Sequence, residues 1–395
     1  MRTLKIAISL WLFTIATFQS RANFSSLYVF GDALSATADP SAPGAPYYYG
    51  QRWSNGRVWV EVLAQRQGLT FDASENDSYY DHNSLQTVID VTNFTPPSDV
   101  ATALFVVWVC NADTFDASTT AINQPGYQFG EFINANIQSQ ANYLQIISAL
   151  YAKGVRNLIV PNVVDISEIP AFNAGTAVGI LHAGCVDYNA RFSNTISQAR
   201  ALCPGLTIYT PDFFTLLNNV LANASYYGLT NALSSRGYSI DAYDDPSIVN
   251  LTLDGQGTNY IFWDPQNPTA QFHAVIADVV QQIISPVQIN HLAVSAASNR
   301  LDVANVPVGL SGFVEGTTNL AQTSWSPVTN FNSTATFQSI FVPAPQLPLA
   351  YPASGTGGNG STDPNNTNNV GTTYNAPFSP AQFYQLYFPY AWSWP

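Results

Sequence analysis

The run Leu27-Tyr-Val-Phe-Gly-Asp32 constrains the fold most. Four consecutive apolar or aromatic residues followed by Gly-Asp describe a strand buried on both faces that ends in a tight turn. A half-solvated antiparallel strand would alternate apolar and polar residues, so this strand needs a layer of structure above and below it. The pattern returns at Leu104-Phe-Val-Val-Trp-Val109, Val155-Arg-Asn-Leu-Ile-Val-Pro161 and Leu206-Thr-Ile-Tyr-Thr-Pro-Asp212. Between these runs, residues 58–64, 138–153, 185–201 and 213–222 have helical spacing of apolar positions. Short strands alternating with helices predict an α/β domain: a doubly wound parallel sheet with helices on both faces, of the flavodoxin-like kind. Ligands on such a sheet bind beyond the carboxyl ends of the strands. Ala33-Leu-Ser-Ala-Thr-Ala38 is predicted to open a helix there, the junction at which α/β hydrolytic enzymes present a nucleophile.

Five stretches carry a resemblance. Val29-Phe-Gly-Asp-Ala-Leu-Ser35 resembles the first signature block of the GDSL (SGNH) ester hydrolases, Phe-Gly-Asp-Ser-Leu-Ser, with Ala33 at the nucleophile's position between Asp32 and Leu34. Arg52-Trp-Ser-Asn-Gly-Arg-Val-Trp59 is similar to the segment that follows this block in extracellular members; Arg52 and Arg57 read as fixing the loop beneath the site. Ser78-Tyr-Tyr-Asp-His-Asn-Ser84 falls where the second block supplies an oxyanion-hole glycine, and the equivalent residue is Asp81. A carboxylate beside a developing oxyanion repels where catalysis needs a donor. Read by itself, Asp81-His-Asn is a solvated loop with a cap or an Asx turn, and His82 a loop histidine.

Trp108-Val-Cys-Asn-Ala-Asp113 resembles the third block, Trp-x-Gly-x-Asn-Asp, with Cys110 in place of the glycine and Ala112 in place of the oxyanion-hole asparagine. The neighbouring Asn111, in an extended segment, faces the other way unless a bulge turns it in. Tyr260-Ile-Phe-Trp-Asp-Pro-Gln-Asn-Pro-Thr-Ala-Gln-Phe-His273 resembles the block Phe-Trp-Asp-x-x-His-Pro-Thr. It keeps the triad Asp as Asp264 and puts Asn267 where the base stands, a side chain with no titration near neutral pH. Pro268 is predicted in the first turn of a helix reaching Ile284, with His273 inside it.

The resemblance spans Leu27 to about Ile284 and implies a carboxylic-ester hydrolase scaffold that needs no cofactor or metal. In that mechanism a serine attacks, a histidine takes its proton, an Asp orients the histidine and Gly/Asn donors hold the oxyanion. Only the Asp is kept here. The expected function is therefore a catalytically dead or strongly impaired member that retains binding of a small-molecule ester, acyl group or acetylated glycan in the cleft. One alternative is an active hydrolase with Ser35 as nucleophile and His82 or His273 as base, although on a helix Ser35 points about 160° from Ala33. Another is a cell-surface adhesion or structural protein that works through its C-terminal region.

Arg2 and Lys5 flank an apolar run to Phe18, and Ser20-Arg-Ala22 offers a cleavage site, so residues 1–22 read as a signal peptide and the product as secreted, extracellular, periplasmic or cell-surface. No later run approaches the ~18 apolar residues of a membrane span. Residues 23–285 form the expected α/β domain. Residues 286–395 are expected to form an antiparallel β-sandwich with strands at 301–307, 311–316, 337–342 and 383–389, and a flexible Gly/Asn/Thr-rich loop at 353–376. Within it, Asp363-Pro-Asn-Asn-Thr-Asn lacks the clustered carboxylates of a calcium loop. With 9% charged residues, a net charge of -13 and Lys5 and Lys153 as the two lysines, the chain carries no footprint for nucleic acid. Cys185 and Cys203 sit at opposite ends of a predicted helix, about 25 Å apart, and are expected not to pair. Cys110 reads as a buried small residue.

Overall fold

The computed structural model describes residues 24–123, 129–295, 298–317, 325–343 and 383–388. The signal-peptide reading of residues 1–22 and the loop at 353–376 lie outside the described residues. Five strands, β1 (Leu27–Gly31), β2 (Asn76–Ser78), β3 (Leu104–Trp108), β4 (Asn157–Ile159) and β5 (Thr207–Tyr209), form one parallel sheet in the order β2-β1-β3-β4-β5. β1 and β3 pair from Leu27 opposite Leu104 to Gly31 opposite Trp108, and every residue of β3 is buried. The chain winds outward from β1 to β2, then returns past β1 to β3. The direction of winding therefore reverses between β1 and β3, which opens a crevice beyond their carboxyl ends.

Among the described residues seven α-helices accompany the sheet: α1 (Trp59–Arg66), α2 (Ser84–Asn93), α3 (Cys110–Asn123), α4 (Phe129–Ala152), α5 (Val178–Leu202), α6 (Phe213–Ala222) and α7 (Ala270–Ile284). α1 packs against α7, while α4 packs against α2, α3 and α5. One continuous apolar core gathers residues from Phe24 to Ile284. Capping explains several helix starts. Asn83 accepts from the N–H groups of Leu85 and Gln86 at the head of α2, Asp212 accepts from Thr215 N on α6, and Thr269 accepts from Phe272 N on α7.

Some sequence expectations change. The segment after Gly31 makes only one 3-10 turn, Ala33–Ser35, because the Asp32 carboxylate holds Leu34 N and Ala36 returns to extended backbone. Thr269 is the cap of α7, so Pro268 lies just before the helix rather than in its first turn. The extended stretch at residues 104–113 ends at Trp108, and α3 begins at Cys110. α5 starts at Val178, so Cys185 lies inside it and Cys203 caps it. All three cysteines are buried and free.

Beyond α7 the chain turns to strands: β6 (Gln288–Ala293), β7 (Ser298–Ala304), β8 (Ser311–Thr317), β9 (Ser326–Asn332), β10 (Phe337–Pro343) and β11 (Phe383–Tyr387). They form two antiparallel three-stranded sheets, β10-β7-β6 and β11-β8-β9. A second core, with Leu301, Val303, Val314, Ile340, Val342 and Phe388, joins the two sheets face to face. Arg66 ties this region to the first core. Its guanidinium pairs with Asp278 of α7 at 2.6 Å and donates to Val308 O at 3.2 Å, and its own carbonyl accepts from Val308 N at 3.1 Å. Among the described residues no helix is long and apolar enough to cross a membrane.

Candidate active site

The crevice at the end of β1 is built from one turn. A Cβ on Gly31 would come within 2.7 Å of Ser35 Cβ and Ser78 Oγ, so only glycine lets the chain fold back this tightly. Asp32 N continues the ladder by donating to Trp108 O at 3.2 Å. The Asp32 carboxylate then accepts from Leu34 N at 3.0 Å. The turn presents Ala33 and Leu34 to the crevice and drives Ser35 inward. Ser35 is fully buried; its Oγ accepts from Trp59 Nε1 at 3.0 Å and its carbonyl from Asn76 Nδ2 at 2.8 Å.

The loop after β2 forms a second wall, anchored by Tyr79 N donating to Gly31 O at 3.2 Å. Asp81 sits there at φ 62, in the left-handed region that favours glycine and costs a residue with a side chain about 1 kcal/mol or more. The backbone thus has a glycine's conformation at the position where the motif resemblance places one, but carries a carboxylate. Asp116 of α3 lies close to it; burial, and then the charge of Asp81, push the Asp116 carboxyl above its ordinary range. His82 points elsewhere: its Nε2 meets Asp90 Oδ2 at 2.7 Å and its ring leans on Tyr79.

The start of α3 supplies the third wall and corrects the expectation for Asn111. In a helical first turn adjacent residues need not face opposite ways, and both Asn111 and Ala112 line the crevice without a bulge. Asn111 Nδ2 approaches Asp32 Oδ2 at 3.4 Å, and its Oδ1 accepts from Val164 N at 3.3 Å. Cys110 is fully buried behind them, with its thiol raised by burial and by the charge of Asp32.

The segment before α7 closes the fourth side. Asp264 accepts from the backbone N–H of Gln266 at 2.9 Å and of Asn267 at 2.8 Å. Asn267 Nδ2 donates to both carboxylate oxygens at 3.0 Å, and Tyr48 OH donates to Oδ2 at 3.1 Å. Burial lifts the Asp264 carboxyl above its ordinary value against these donors. His273 is fully buried within α7, away from the crevice. Neither of its ring nitrogens has a hydrogen-bond partner among the described residues, and burial lowers it to about 3.

The result is one cleft of about 550 Å³, including the part open to solvent. It brings together Asp32, Ala33, Asp81, Asn111, Ala112 and Asn267, with Asp264 held behind Asn267. Cys110, Ser35, His82 and His273 do not line it. Ser35 has no hydrogen bond to either histidine; its hydroxyl is engaged by Trp59. Asp32 is almost wholly buried, and burial pushes its carboxyl up to about 7. The sequence reading did not single out Tyr80, Phe115, Val164, Ile166, Ile169 and Gln266, which complete the lining. Residues 164–169 follow β4, and the rule that ligands lie beyond strand carboxyl ends is the signal by which they could have been found. Beneath the cleft, Arg52 grips Glu61 of α1 with two hydrogen bonds of 2.8 and 2.7 Å, and Arg57 donates to Gln65 at 2.6 Å. Among the described residues no group of three or more His, Cys, Asp or Glu side chains is placed to hold a metal ion.

A parallel sheet in this order, with a cleft assembled beyond the ends of β1, β2, β3 and β4 and closed by the segment before α7, defines a hydrolase scaffold of the SGNH kind. The chain belongs to the GDSL-like lipase/acylhydrolase family, whose model matches residues 27–280. It is similar to a GDSL esterase/lipase of Arabidopsis thaliana, 22% identical over 158 residues, which are 37% of this chain and 41% of that protein; the match thus spans about two fifths of the plant relative. Among solved structures it is similar to an extracellular lipase of Streptomyces rimosus (12% identity, TM-score 0.38, covering 63% of this chain and 94% of that one). It is also similar to a phospholipase A1 of Streptomyces albidoflavus (14% identity, TM-score 0.33, covering 62% and 93%).

Proposed function

We propose that this member of the family is a secreted protein impaired in ester hydrolysis, which uses its cleft to bind rather than to turn over a ligand. The observation that carries this reading is the side chain of Asn267, whose amide nitrogen donates to both oxygens of Asp264 in the cleft that Ala33 also lines. Asp264 would hold a histidine by the same contact in a working triad, but an amide cannot take up and return a proton near neutral pH. Ala33 offers a methyl group in place of an attacking oxygen. In subtilisin, loss of the nucleophile or the base alone costs about a million-fold in rate, and the losses do not add. Asp81 adds negative charge where a tetrahedral intermediate would develop it.

The cleft joins an apolar side to a few convergent polar groups, the make-up of a small-ligand site. An apolar side made by Leu34, Phe115, Val164, Ile166 and Ile169 faces the amides of Asn111, Gln266 and Asn267. That lining suits a small-molecule ester, an acyl group or an acetylated glycan. The basic, apolar and small-residue succession at 1–22 supports export.

The test is labelling by a fluorophosphonate of the wild-type protein beside Ala33→Ser/Asn267→His. Labelling of the double variant alone is expected. Wild-type hydrolysis of a p-nitrophenyl ester that disappears when a cleft residue is changed would overturn the reading.

A further inference from the structure

Aromatic rings crowd the outside of the cleft. Tyr47, Tyr80 and Tyr243 are 41%, 40% and 48% exposed. They belong to a chain of touching rings: Tyr47 meets Tyr243 at a centroid separation of 5.7 Å, Tyr243 meets Tyr48 at 6.4 Å, Tyr48 meets Trp53 at 5.8 Å and Trp53 meets Tyr80 at 4.9 Å. Tyr80 itself lines the cleft, so the strip runs outward from its rim. Its members are held in place from below. Asp39 accepts from Trp53 Nε1 at 2.9 Å and from Tyr80 N at 2.7 Å. Tyr48 OH donates to Asp264, and Tyr48 and Trp53 rest on a small apolar cluster with Ala242 and Trp263. Two pairs of outward rings, Tyr47 with Tyr243 and Trp53 with Tyr80, thus sit on either side of the buried Tyr48. Exposed aromatic rings gathered on one face mark a binding surface, and rings already fixed in their rotamers lose little entropy when a ligand arrives.

The chemistry of the strip narrows its occupant. Rings in mutual contact at these separations leave no gap for an ammonium group between them, so a caged cation is excluded. Its outward members are tyrosines and a tryptophan, amphipathic rings with polar tips, while Ile248, Leu251 and Leu253 pack against the cluster beneath them. Exposed carboxylates at Asp81 and Asp244 flank it, and they repel anionic lipid headgroups and acidic polymers alike. What remains is an uncharged ligand with apolar C–H faces and a hydroxyl edge.

We propose that Tyr47, Trp53, Tyr80 and Tyr243, seated on the buried Tyr48, form a stacking strip for a neutral oligo- or polysaccharide, which leads a substituent of the sugar chain into the cleft. This deepens the binding reading of the cleft and rests on it. Pyranose faces lie on the rings, hydroxyls bond to the tyrosine tips, and the cleft receives the smaller group at Tyr80.

The experiment is affinity electrophoresis of the full chain in gels cast with neutral xylan, glucomannan or hydroxyethyl cellulose, or with anionic alginate. Retardation by at least one neutral polymer and not by alginate is expected, with at least about a ten-fold weaker apparent affinity in Tyr47→Ala/Tyr243→Ala. Both side chains are well exposed, and an unchanged melting curve confirms folding. No retardation by any neutral polymer, retardation by alginate alone, or an unaltered double variant overturns the strip. A second readout separates the two readings: phosphonylation of Ala33→Ser/Asn267→His in the presence of the retarding oligosaccharide. Slower labelling supports the route into the cleft. Retardation with unaltered labelling overturns that route while leaving the stacking surface standing.

Discussion

Two sets of groups meet at the turn after β1. On its cleft side stand Ala33, Asp81, Ala112 and Asn267, and they lack a nucleophile, a base and the side-chain donor that the motif resemblance would place at Ala112. Behind the turn stand Gly31, Ser35, Trp59 and Asn76, joined by close packing and short hydrogen bonds. The contrast shows that the shape of this site and its chemistry are separable. Groups behind the turn are buried, so replacing any one of them leaves an unsatisfied polar atom or a clash and costs stability. On the cleft side Ala33 and Asp81 border open space, where a side chain can be exchanged with little effect on folding, whereas Asn267 is buried and holds Asp264. Asp81 marks the border, with its backbone still in a glycine's conformation and its side chain free to differ.

The largest expected effect falls on the cleft side. Ala33→Ser/Asn267→His should raise hydrolysis of a p-nitrophenyl ester by about a thousand-fold. That is the million-fold worth of nucleophile and base, less the hundred- to thousand-fold withheld by a missing oxyanion donor. Steady-state rates of both proteins give the ratio, and a ratio near one would mean that the frame has drifted as well as the chemistry.

Asp32 belongs to both sides, and its contribution depends on pH. Its ordinary value of 3.8 rises to about 7 in the folded protein, so the folded state holds this proton where the unfolded state has lost it. Below about pH 4 the carboxyl is protonated in both states and burial carries no ionisation penalty; the penalty grows as pH rises and is complete above about pH 7. Asp32→Asn removes it and keeps an acceptor for Leu34 N. The variant should gain on wild type between pH 4.5 and 7.5 by a few kcal/mol, on the order of 2–4. Denaturant midpoints at the two pH values measure it, and a constant difference would contradict the assignment.

Ser35→Ala tests the back of the turn. It strands Trp59 Nε1 without an acceptor and should cost about 1–3 kcal/mol in chemical denaturation. It should leave any residual ester turnover unchanged, whereas a relocated nucleophile at Ser35 would lose activity altogether.

The smallest effect is expected at the border. Asp81→Gly relieves the left-handed backbone and the repulsion with Asp116, which stabilises the fold by about 1 kcal/mol, or a Tm rise of roughly 2–4 °C by calorimetry. Added to the double revertant, the same change should raise its rate further, because the loop then presents no negative charge to the oxyanion.

Much of this was legible in the chain. The doubly apolar runs beginning at Leu27 and Leu104 admit only a covered parallel sheet. The motif resemblance at the Gly-Asp turn, at Trp108 and at the Trp-Asp pair 263–264 puts Ala33, Ala112 and Asn267 at site positions, and all three line one cleft. The failures were local. Asp32 captures Leu34 N and stops a helix that Ala33-Leu-Ser-Ala favours by propensity. α3 begins at Cys110, where the sequence reads as a continuing strand because Val109 and Cys110 are as apolar as the residues before them. Strand periodicity therefore turns Asn111 away from the cleft, whereas the helical turn brings it in. The lining from 164 to 169 sits in a loop whose apolar residues carry no period, so neither helical nor strand spacing could flag it.

The Arg66 seam has a consequence for how the molecule comes apart. Because the guanidinium engages α7 and Val308 at once, while the Arg66 carbonyl receives Val308 N, loosening the two antiparallel sheets removes partners from a charge buried in the larger core. The two cores are thereby coupled in free energy: denaturation should follow a single cooperative transition reported alike by Trp59 and Trp108 in the first core and by protease cleavage in the second. Excising the C-terminal sheets would shift the midpoint of the whole, including the cleft on the far end of the sheet, which they do not line.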